Sequence, residues 1–279
     1  MKFTVLLTAL LAFAGFNAYA EAPKPLKVLL VLGGCCHDYA KQQDILKQGI
    51  EARANATVDI LYTPDKSTKA KFADYERKDW AKGYDVVIHD ECSADITDPT
   101  YVANIIDAHR NGVPAVNLHC AMHCYRWGNF HSPVPAGADN SHWYEMLGLQ
   151  STGHGAQMPI ALTFVDKESP IVKGMADWTT INEELYNNIN ILTAHALVKG
   201  KQTYDDKKSG KHVENETVVV WTNEFGPNKT RIFSTTIGHN NETVGDARYL
   251  NLVTNGLLWA AGKLGEDGKV AAGYEAVKK

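Results

Sequence analysis

The stretch Pro114-Ala115-Val116-Asn117-Leu118-His119-Cys120-Ala121-Met122-His123-Cys124 decides the fold and contains the first candidate site. Its apolar beginning predicts a buried strand, and the residues that follow predict the start of a helix. His119 would then occupy an exposed strand-to-helix turn, where open α/β sheets place their chemistry. On a helix, His119 and His123 would lie one turn apart, about 5–6 Å between Cβ atoms, and could share one metal ion. The alternative is that both are ordinary polar residues at a helix start.

The amino-terminal segment has the pattern of a secretory signal peptide over residues 1–20. A charged start precedes an apolar run and an Ala-x-Ala ending, so we expect a periplasmic or secreted protein. No later segment is apolar enough to span a bilayer. We expect one α/β domain over 21–265 and a loosely ordered C-terminal tail over 266–279, which has little apolar content.

Composition restricts the class of partner. The 279 residues carry a formal net charge of −4 and no basic cluster, which argues against nucleic acid and anionic membranes. The five cysteines should pair in part in an oxidising compartment, and an odd number leaves at least one unpaired. A disulfide between Cys92 and either Cys35 or Cys36 is reasonable, but the sequence leaves the connectivity open.

The order of apolar segments predicts a doubly wound sheet. Strands and helices alternate in the first half of the chain: strands over 26–32, 57–62, 85–89 and 113–118, and helices over 39–54 and 99–111. This order is typical of a mainly parallel, flavodoxin-like sheet with helices on both faces. Alternating patterns then predict an antiparallel insertion over 158–165, 184–188 and 191–198. Strands over 218–221 and 231–238 and a helix over 247–261 complete the domain.

The turn after the first strand, Gly33-Gly34-Cys35-Cys36-His37-Asp38, is a second candidate site. Gly34 would let the backbone approach a ligand closely. The G-x-G-x-x-G spacing is absent, so we expect no nucleotide cofactor. His37 and Asp38 would lie at the same sheet edge as His119, although Asp38 could equally well cap the following helix.

Other polar residues also lie at predicted strand ends. His154 stands between two glycines in a predicted exposed loop, and His239 follows the strand over 231–238. Glu184 is predicted to point inward, whereas Glu183 is expected to be a surface acid. Four aromatic residues are expected near the rim, where they would stack on sugar rings: Tyr125, Trp127, Trp143 and Tyr186.

The chain resembles the ThuA-like (trehalose utilisation) family. The resemblance rests on short motifs in the order of that family, spread over residues 26–262: Gly33-Gly34 with His37-Asp38, Asn117-Leu118-His119-Cys120-Ala121, Trp143-Tyr144 with Leu147-Gly148, Gly153-His154-Gly155, Asn182-Glu183-Glu184-Leu185-Tyr186, Thr236-Ile237-Gly238-His239 and Asn255-Gly256-Leu257-Leu258-Trp259-Ala260-Ala261-Gly262. It implies a fold like that of class I glutamine amidotransferases and a role in carbohydrate metabolism. In that comparison His119 takes the position of the nucleophilic cysteine, and Cys120, one residue further, should point elsewhere.

The sequence therefore predicts a hydrolase or lyase that acts on a disaccharide or an oxidised (keto) sugar. The expected catalytic residues are His37, Asp38, His119, His154, Glu184 and His239. A divalent metal such as zinc could be held by His119 with His123 or His37; without metal, a histidine would act as acid or base. Two alternatives are a non-catalytic sugar-binding protein and an amidotransferase-like hydrolase that uses Cys120. A small carbohydrate is the expected partner, and a homo-oligomer is compatible with the sequence.

Overall fold

The computed structural model describes residues 23–206 and 209–277, so the predicted signal peptide lies outside the described residues. Nine strands of the described chain form one sheet, in the order β2-β1-β3-β4-β9-β8-β7-β5-β6. The strands are β1 (Leu26–Gly34), β2 (Ala56–Thr63), β3 (Val86–Cys92), β4 (Ala115–Leu118), β5 (Leu149–Phe164), β6 (Trp178–Ile191), β7 (His195–Asp206), β8 (Lys211–Phe225) and β9 (Thr230–Thr235). The helices are α1 (Tyr39–Glu51), α2 (Pro99–Arg110), α3 (His142–Leu147), α4 (Asn241–Val244) and α5 (Ala247–Ala260).

The first half of the sheet is parallel, as the alternation of strands and helices predicts. Strands β2, β1, β3, β4 and β9 pair in parallel in that order. Alternate residues of β1 enter two separate cores: Leu30 packs with α1 and α5, whereas Val31 packs with α2 and α3. Both faces of the parallel half are therefore covered by helices, which explains the continuous apolar run of β1.

The second half of the sheet is antiparallel and larger than expected. Four pairings, β9–β8, β8–β7, β7–β5 and β5–β6, are antiparallel. The expected mainly parallel sheet is confirmed only in part, since these long hairpins extend the sheet itself. Residues 153–155 also lie within β5 and not in a loop, because irregularities in the β5–β6 register accommodate them.

One short segment differs from its predicted structure. Residues His119–His123 form a 3₁₀ helix, and His119 begins it with a left-handed φ of 41°. Two residues of the C-terminal segment form isolated bridges with the rest of the domain: Val270 pairs with Leu264, and Glu275 pairs with Ala54. Among the described residues, no helix combines the length and apolar character needed to cross a membrane.

Candidate active site

Three histidines converge at the carboxyl edge of the parallel strands. His37 follows β1, His119 follows β4, and His239 follows β9 after Gly238, whose φ of 130° turns the chain. Their ring centroids lie 4.6 to 5.5 Å apart. One nitrogen of each ring lies within 4.8 Å of the other two. We call these residues the histidine triad; they meet because parallel strands place their carboxyl ends at one edge.

Glu184, on β6, brings a carboxylate to the histidine triad from the antiparallel half. Its Oε1 lies 3.2 Å from Nδ1 of His239, and its Oε2 lies 3.4 Å from Nε2 of His119. The same Oε2 lies 3.6 Å from Nε2 of His154, whose side chain is 43% exposed. One buried carboxylate therefore contacts three histidines, and His154 offers the most accessible of these imidazoles.

The hydrogen bonding of His119 leaves one ring nitrogen without a donor or acceptor. Its Nδ1 lies 2.6 Å from the carbonyl oxygen of Thr236 and must donate, because a carbonyl only accepts. In the neutral ring Nε2 then carries a lone pair, and this buried atom makes no hydrogen bond. Since Nε2 faces the carboxylate of Glu184, either a proton or another cation is needed between them.

Gln157 is a site residue that the sequence analysis missed. Its amide nitrogen lies 3.1 Å from Oε1 of Glu184 and 3.0 Å from Nε2 of His239. An amide nitrogen donates, so Nε2 of His239 accepts and Nδ1 carries the proton that faces Glu184. Nothing around Gln157 in the sequence distinguishes it, whereas the pairing of β5 with β6 places it directly opposite Glu184.

Burial and charge separate the pKa values of these groups. Burial, with the neighbouring His119 and His239, lowers the pKa of His37 to about 3, so His37 is neutral near pH 7. The hydrogen bond with Glu184 raises the pKa of His239. Burial opposes ionisation of Glu184, but its contacts with His119 and His239 prevail and hold its pKa well below the usual range. Because these pKa values differ, the site can hold a neutral His37, an ionised Glu184 and a protonated His239 together.

Two members of the histidine triad, His37 and His239, and Glu184 line an open cavity of about 410 Å³, a volume typical of small-molecule sites, whereas His119 does not line it. Its lining includes His37, His154, Glu184 and His239. A second cavity of about 560 Å³ adjoins it and is lined by amide, carboxylate and hydroxyl side chains of β6 and β8. His154 and Tyr186 line both, so the two cavities share part of their wall, and we refer to the pair as the cleft.

Four cysteines form part of the cavity wall. Cys35 and Cys36 are joined in a disulfide, which differs from the expected bond between Cys92 and one of them. Cys92 remains a thiol 3.3 Å from the sulfur of Cys35. The sulfur of Cys120 lies 2.7 Å from that of Cys92 and 3.1 Å from Nε2 of His37. The expectation that Cys120 points away from the site is therefore wrong, since the 3₁₀ helix turns it toward His37.

Several predicted site residues differ from expectation in position or exposure. His123 lines the cavity but is outside the histidine triad, because its ring stacks on Tyr186 at 4.2 Å and its Nε2 contacts the hydroxyl of Ser151. His119 is 1% exposed, so the expected exposed turn is wrong. Asp38 is exposed, forms an ion pair with Lys41 and borders a separate small cavity. Its side chain makes no helix-capping hydrogen bond.

The predicted sugar-stacking residues and Glu183 also differ from expectation. Tyr125 and Trp143 are each 1% exposed, and they donate to Glu91 and to the carbonyl of Ala121, so neither lies at the rim. Among the remaining predicted binding residues, Trp127 packs against the core, and Gly34 borders the same small cavity as Asp38. Glu183 is fully buried and accepts from the backbone N–H of His239, so it is a structural acid. Of the predicted stacking residues, Tyr186 lines the cavity.

Comparison with known proteins assigns the family. The family model described as ThuA, trehalose utilisation, matches residues 27–260. The chain belongs to the ThuA family. The resemblance inferred from the ordered motifs is thereby confirmed, and the match includes all three members of the histidine triad, as well as Glu184. A comparison with curated proteins finds no match to this ThuA chain.

Solved structures share the fold. A ThuA-like protein of Parabacteroides merdae has 19% identity and a TM-score of 0.59, covering 91% of this chain and 98% of its own. A ThuA-like protein of Bacteroides uniformis has 19% identity and a TM-score of 0.60, covering 88% and 95%. A β-galactosidase of Bacillus circulans has 13% identity and a TM-score of 0.50, covering 86% of this chain but 31% of its own. At these identities the similarity defines the ThuA fold alone.

Proposed function

We propose that this ThuA chain is a carbohydrate-active enzyme that acts on a disaccharide or an oxidised (keto) sugar by proton transfer. The observation that carries the proposal is the contact of one ionised carboxylate, Glu184, with His119, His154 and His239 beside an open cavity. The trehalose utilisation family supports the substrate class. The adjoining polar cavity supports a substrate with two rings, since one ring would occupy each part of the cleft.

The proposed chemistry divides acid and base between two histidines. Glu184 raises the pKa of His239; when Nε2 of this ring is also protonated, it gives up its contact with the Gln157 amide and becomes a proton donor at the cavity. His154, more exposed, donates from Nδ1 to the carbonyl of Gly155, so its Nε2 has the lone pair that accepts a proton from the carbon next to a sugar carbonyl. The adjacent carboxylate of Glu184 stabilises the imidazolium that forms. The proton of His239 passes to the carbonyl oxygen at the same time, and an enol forms. This is the first step of a lyase or isomerase reaction, and the same pair can protonate a leaving group in hydrolysis.

A divalent metal such as zinc fits the histidine triad. His37, His119 and His239 are imidazole ligand candidates, and Nε2 of His119 is buried without a hydrogen-bond partner. Tetrahedral zinc places its ligand atoms about 3.4 Å apart, so rings whose nitrogens lie within 4.8 Å need only small shifts. A bound metal would polarise a carbonyl oxygen or activate water. Glu184 would then move the proton and hold His154 in place.

The test is turnover of a defined panel. The full chain, purified without a histidine tag, is incubated with trehalose, other disaccharides and their 3-keto derivatives, and products are identified by mass spectrometry. We expect conversion of at least one class of substrate, and a large loss of conversion in Glu184→Gln. Metal analysis of the same preparation measures zinc occupancy. A metal-to-protein ratio near zero after reconstitution would exclude the metal version but leave the proton-transfer version standing.

Two other functions are separated by the same panel. Binding of sugars without conversion by any member would support a non-catalytic sugar-binding protein. The contact between His37 and Cys120 favours a cysteine hydrolase. Against it, the hydrogen bond to Cys92 and burial raise the pKa of the Cys120 thiol, which suppresses its thiolate. If the protein is such a hydrolase, the Cys120→Ala variant should be inactive and the Glu184→Gln variant should keep some activity.

We also propose that the protein is periplasmic or secreted, on the pattern of residues 1–20. The disulfide between Cys35 and Cys36 supports an oxidising compartment. Fractionation of cells that express the full chain, with amino-terminal sequencing of the product, tests this. We expect cleavage near Ala20 and recovery outside the cytoplasm, whereas an intact amino terminus in the cytoplasm would contradict the proposal.

A further inference from the structure

Four of the five cysteines lie in a continuous series of sulfur contacts. The disulfide of Cys35 and Cys36 lies at the carboxyl end of β1, and the sulfur of Cys92, at the end of β3, is 3.3 Å from that of Cys35. Cys120 continues the series, with its sulfur 2.7 Å from that of Cys92. A disulfide and two thiols in contact are the reactants of thiol–disulfide exchange.

We propose that these four cysteines carry out intramolecular thiol–disulfide exchange, which moves the disulfide from the outer pair, Cys35 and Cys36, to the inner pair, Cys92 and Cys120. The exchange requires no outside oxidant, because one disulfide and two thiols are present before and after it. The inference depends on sulfur positions alone and does not depend on the proposed sugar chemistry.

The first step joins the two pairs. The sulfur of Cys92, as thiolate, attacks the sulfur of Cys35, and the bond between Cys35 and Cys36 breaks. Cys36 is the leaving group and takes up the proton that Cys92 released. Cys36 is exposed, so water stabilises the departing thiolate. Its φ of 82° is unfavourable for a residue with a side chain, and opening the bond removes the constraint that holds it there.

The second step moves the bond inward. Once Cys92 is bonded to Cys35, the hydrogen bond that suppressed the Cys120 thiolate is lost. The sulfur of Cys120, as thiolate, then attacks that of Cys92, and the bond between Cys92 and Cys35 breaks. Cys35 leaves and takes up the proton from Cys120. The product has a disulfide between Cys92 and Cys120, both buried, and two thiols at the outer pair. Buried disulfides are shielded from external thiols, whereas the new outer thiols are open to them.

The exchange would also reach the histidine triad. The sulfur of Cys120 lies 3.1 Å from Nε2 of His37, so a new bond at this sulfur changes the partner of that imidazole. Cys124 has no place in the series, because its sulfur contacts the N–H of Ser93 and the carbonyl of Glu91. Cys124 is therefore the matched control among the buried cysteines.

The test maps disulfides in the full, folded chain over time. Samples are quenched in acid, alkylated in denaturant, digested and analysed by mass spectrometry. Before exchange, alkylation should label Cys92 and Cys120. After exchange in the wild type, we expect a population that is labelled at Cys35 and Cys36 instead. Cys120→Ala lacks the second nucleophile, so the bond between Cys35 and Cys92 should accumulate. Cys124→Ala should match the wild type.

Circular dichroism establishes that each variant is folded, and Cys120→Ser replaces Cys120→Ala if the alanine variant is not. The proposal is overturned if the wild type keeps only the bond between Cys35 and Cys36 at every time point. It is equally overturned if the folded Cys120 variants form no bond to Cys92. Neither result bears on sugar conversion, so the two proposals fail separately.

Discussion

The carboxylate of Glu184 lies 3.2 Å from Nδ1 of His239 and joins the two halves of the sheet at the site. Glu184 belongs to the antiparallel β6, whereas His239 follows the parallel β9. The contact raises the pKa of His239 and prepares it to donate a proton. Substitution of this carboxylate is therefore the most informative change in the molecule.

Glu184→Gln should lower the pKa of His239 toward its ordinary value, because the amide removes the negative charge that favours the imidazolium. Sugar conversion should fall by about 10²–10⁴-fold, the usual contribution of general acid–base catalysis. NMR titration of the histidines measures the first effect, and the substrate panel measures the second. Glu242→Gln, the same change at an exposed carboxylate near His239, is the control and should alter neither. An unchanged pKa of His239 would contradict the proposed ion contact.

His119→Ala should destabilise the protein by about 1–3 kcal/mol, the range for a buried carbonyl that loses its donor. The carbonyl is that of Thr236, which accepts from Nδ1 of His119. An exposed turn, as the sequence predicts, would give a change near zero. Urea denaturation measures the difference. His131→Ala, at an exposed histidine, should stay within about 0.5 kcal/mol of the wild type. Equal stability of the two variants would contradict the buried role of His119.

Zinc affinity should depend on the histidine triad and not on His123. Alanine at His37, His119 or His239 should each weaken zinc binding by at least about 100-fold, because a ligand contributes more than an outer-shell partner. His123→Ala should bind zinc as the wild type does, since its ring stacks on Tyr186 outside the triad. Isothermal titration of metal-free protein without a tag measures each affinity. Strong loss in His123→Ala with retention in His239→Ala would reverse the ligand assignment.

The protein should be less stable in acid because of His109, a buried residue that does not line the cavity. Burial, and the neighbouring His89, lower the pKa of His109 to about 3. Its pKa in the unfolded chain is about 6.5, so between these values the unfolded state binds the extra proton. The free energy of unfolding should therefore fall as pH drops from 6.5 toward 3, by up to about 1.4 kcal/mol per pH unit for this group.

Denaturation in urea between pH 7 and 4 measures that dependence. His109→Gln keeps a donor for the carbonyl of Val113 but cannot titrate. Its free energy of unfolding should therefore depend less steeply on pH, by the equivalent of up to one bound proton. His131→Gln, at an exposed histidine, should reproduce the slope of the wild type. A slope unaffected by His109→Gln would mean that His109 is protonated alike in both states.

Strand periodicity predicted the residues that meet at the parallel edge. His37, His119 and His239 each follow a strand that the sequence identifies, and parallel pairing places such positions together whatever their separation along the chain. How deeply a side chain is buried was not predictable in the same way. Tyr125 and Trp143 are aromatic residues of the kind that stack on sugar rings, but residues distant in the sequence cover them in the fold.

The antiparallel half was harder to predict because its register depends on local irregularities. The glycines on either side of His154 are typical of a loop, yet β5 passes through them with shifts in its pairing to β6. These shifts place His154 opposite Tyr186 and Gln157 opposite Glu184. Burial of Glu183 also depends on the backbone of His239, 56 positions away, which no local pattern contains.

The position of β9 determines how much of the chain must be synthesised before the two halves of the sheet can join. This strand, Thr230–Thr235, lies between β4 and β8 and is the link between the parallel and antiparallel halves in the described sheet. A chain that ends before residue 230 would hold two separate sheets, each with an open edge that invites pairing with other chains. Nascent or truncated forms of this protein should therefore need protection from aggregation until β9, the last strand of the described chain, has left the ribosome.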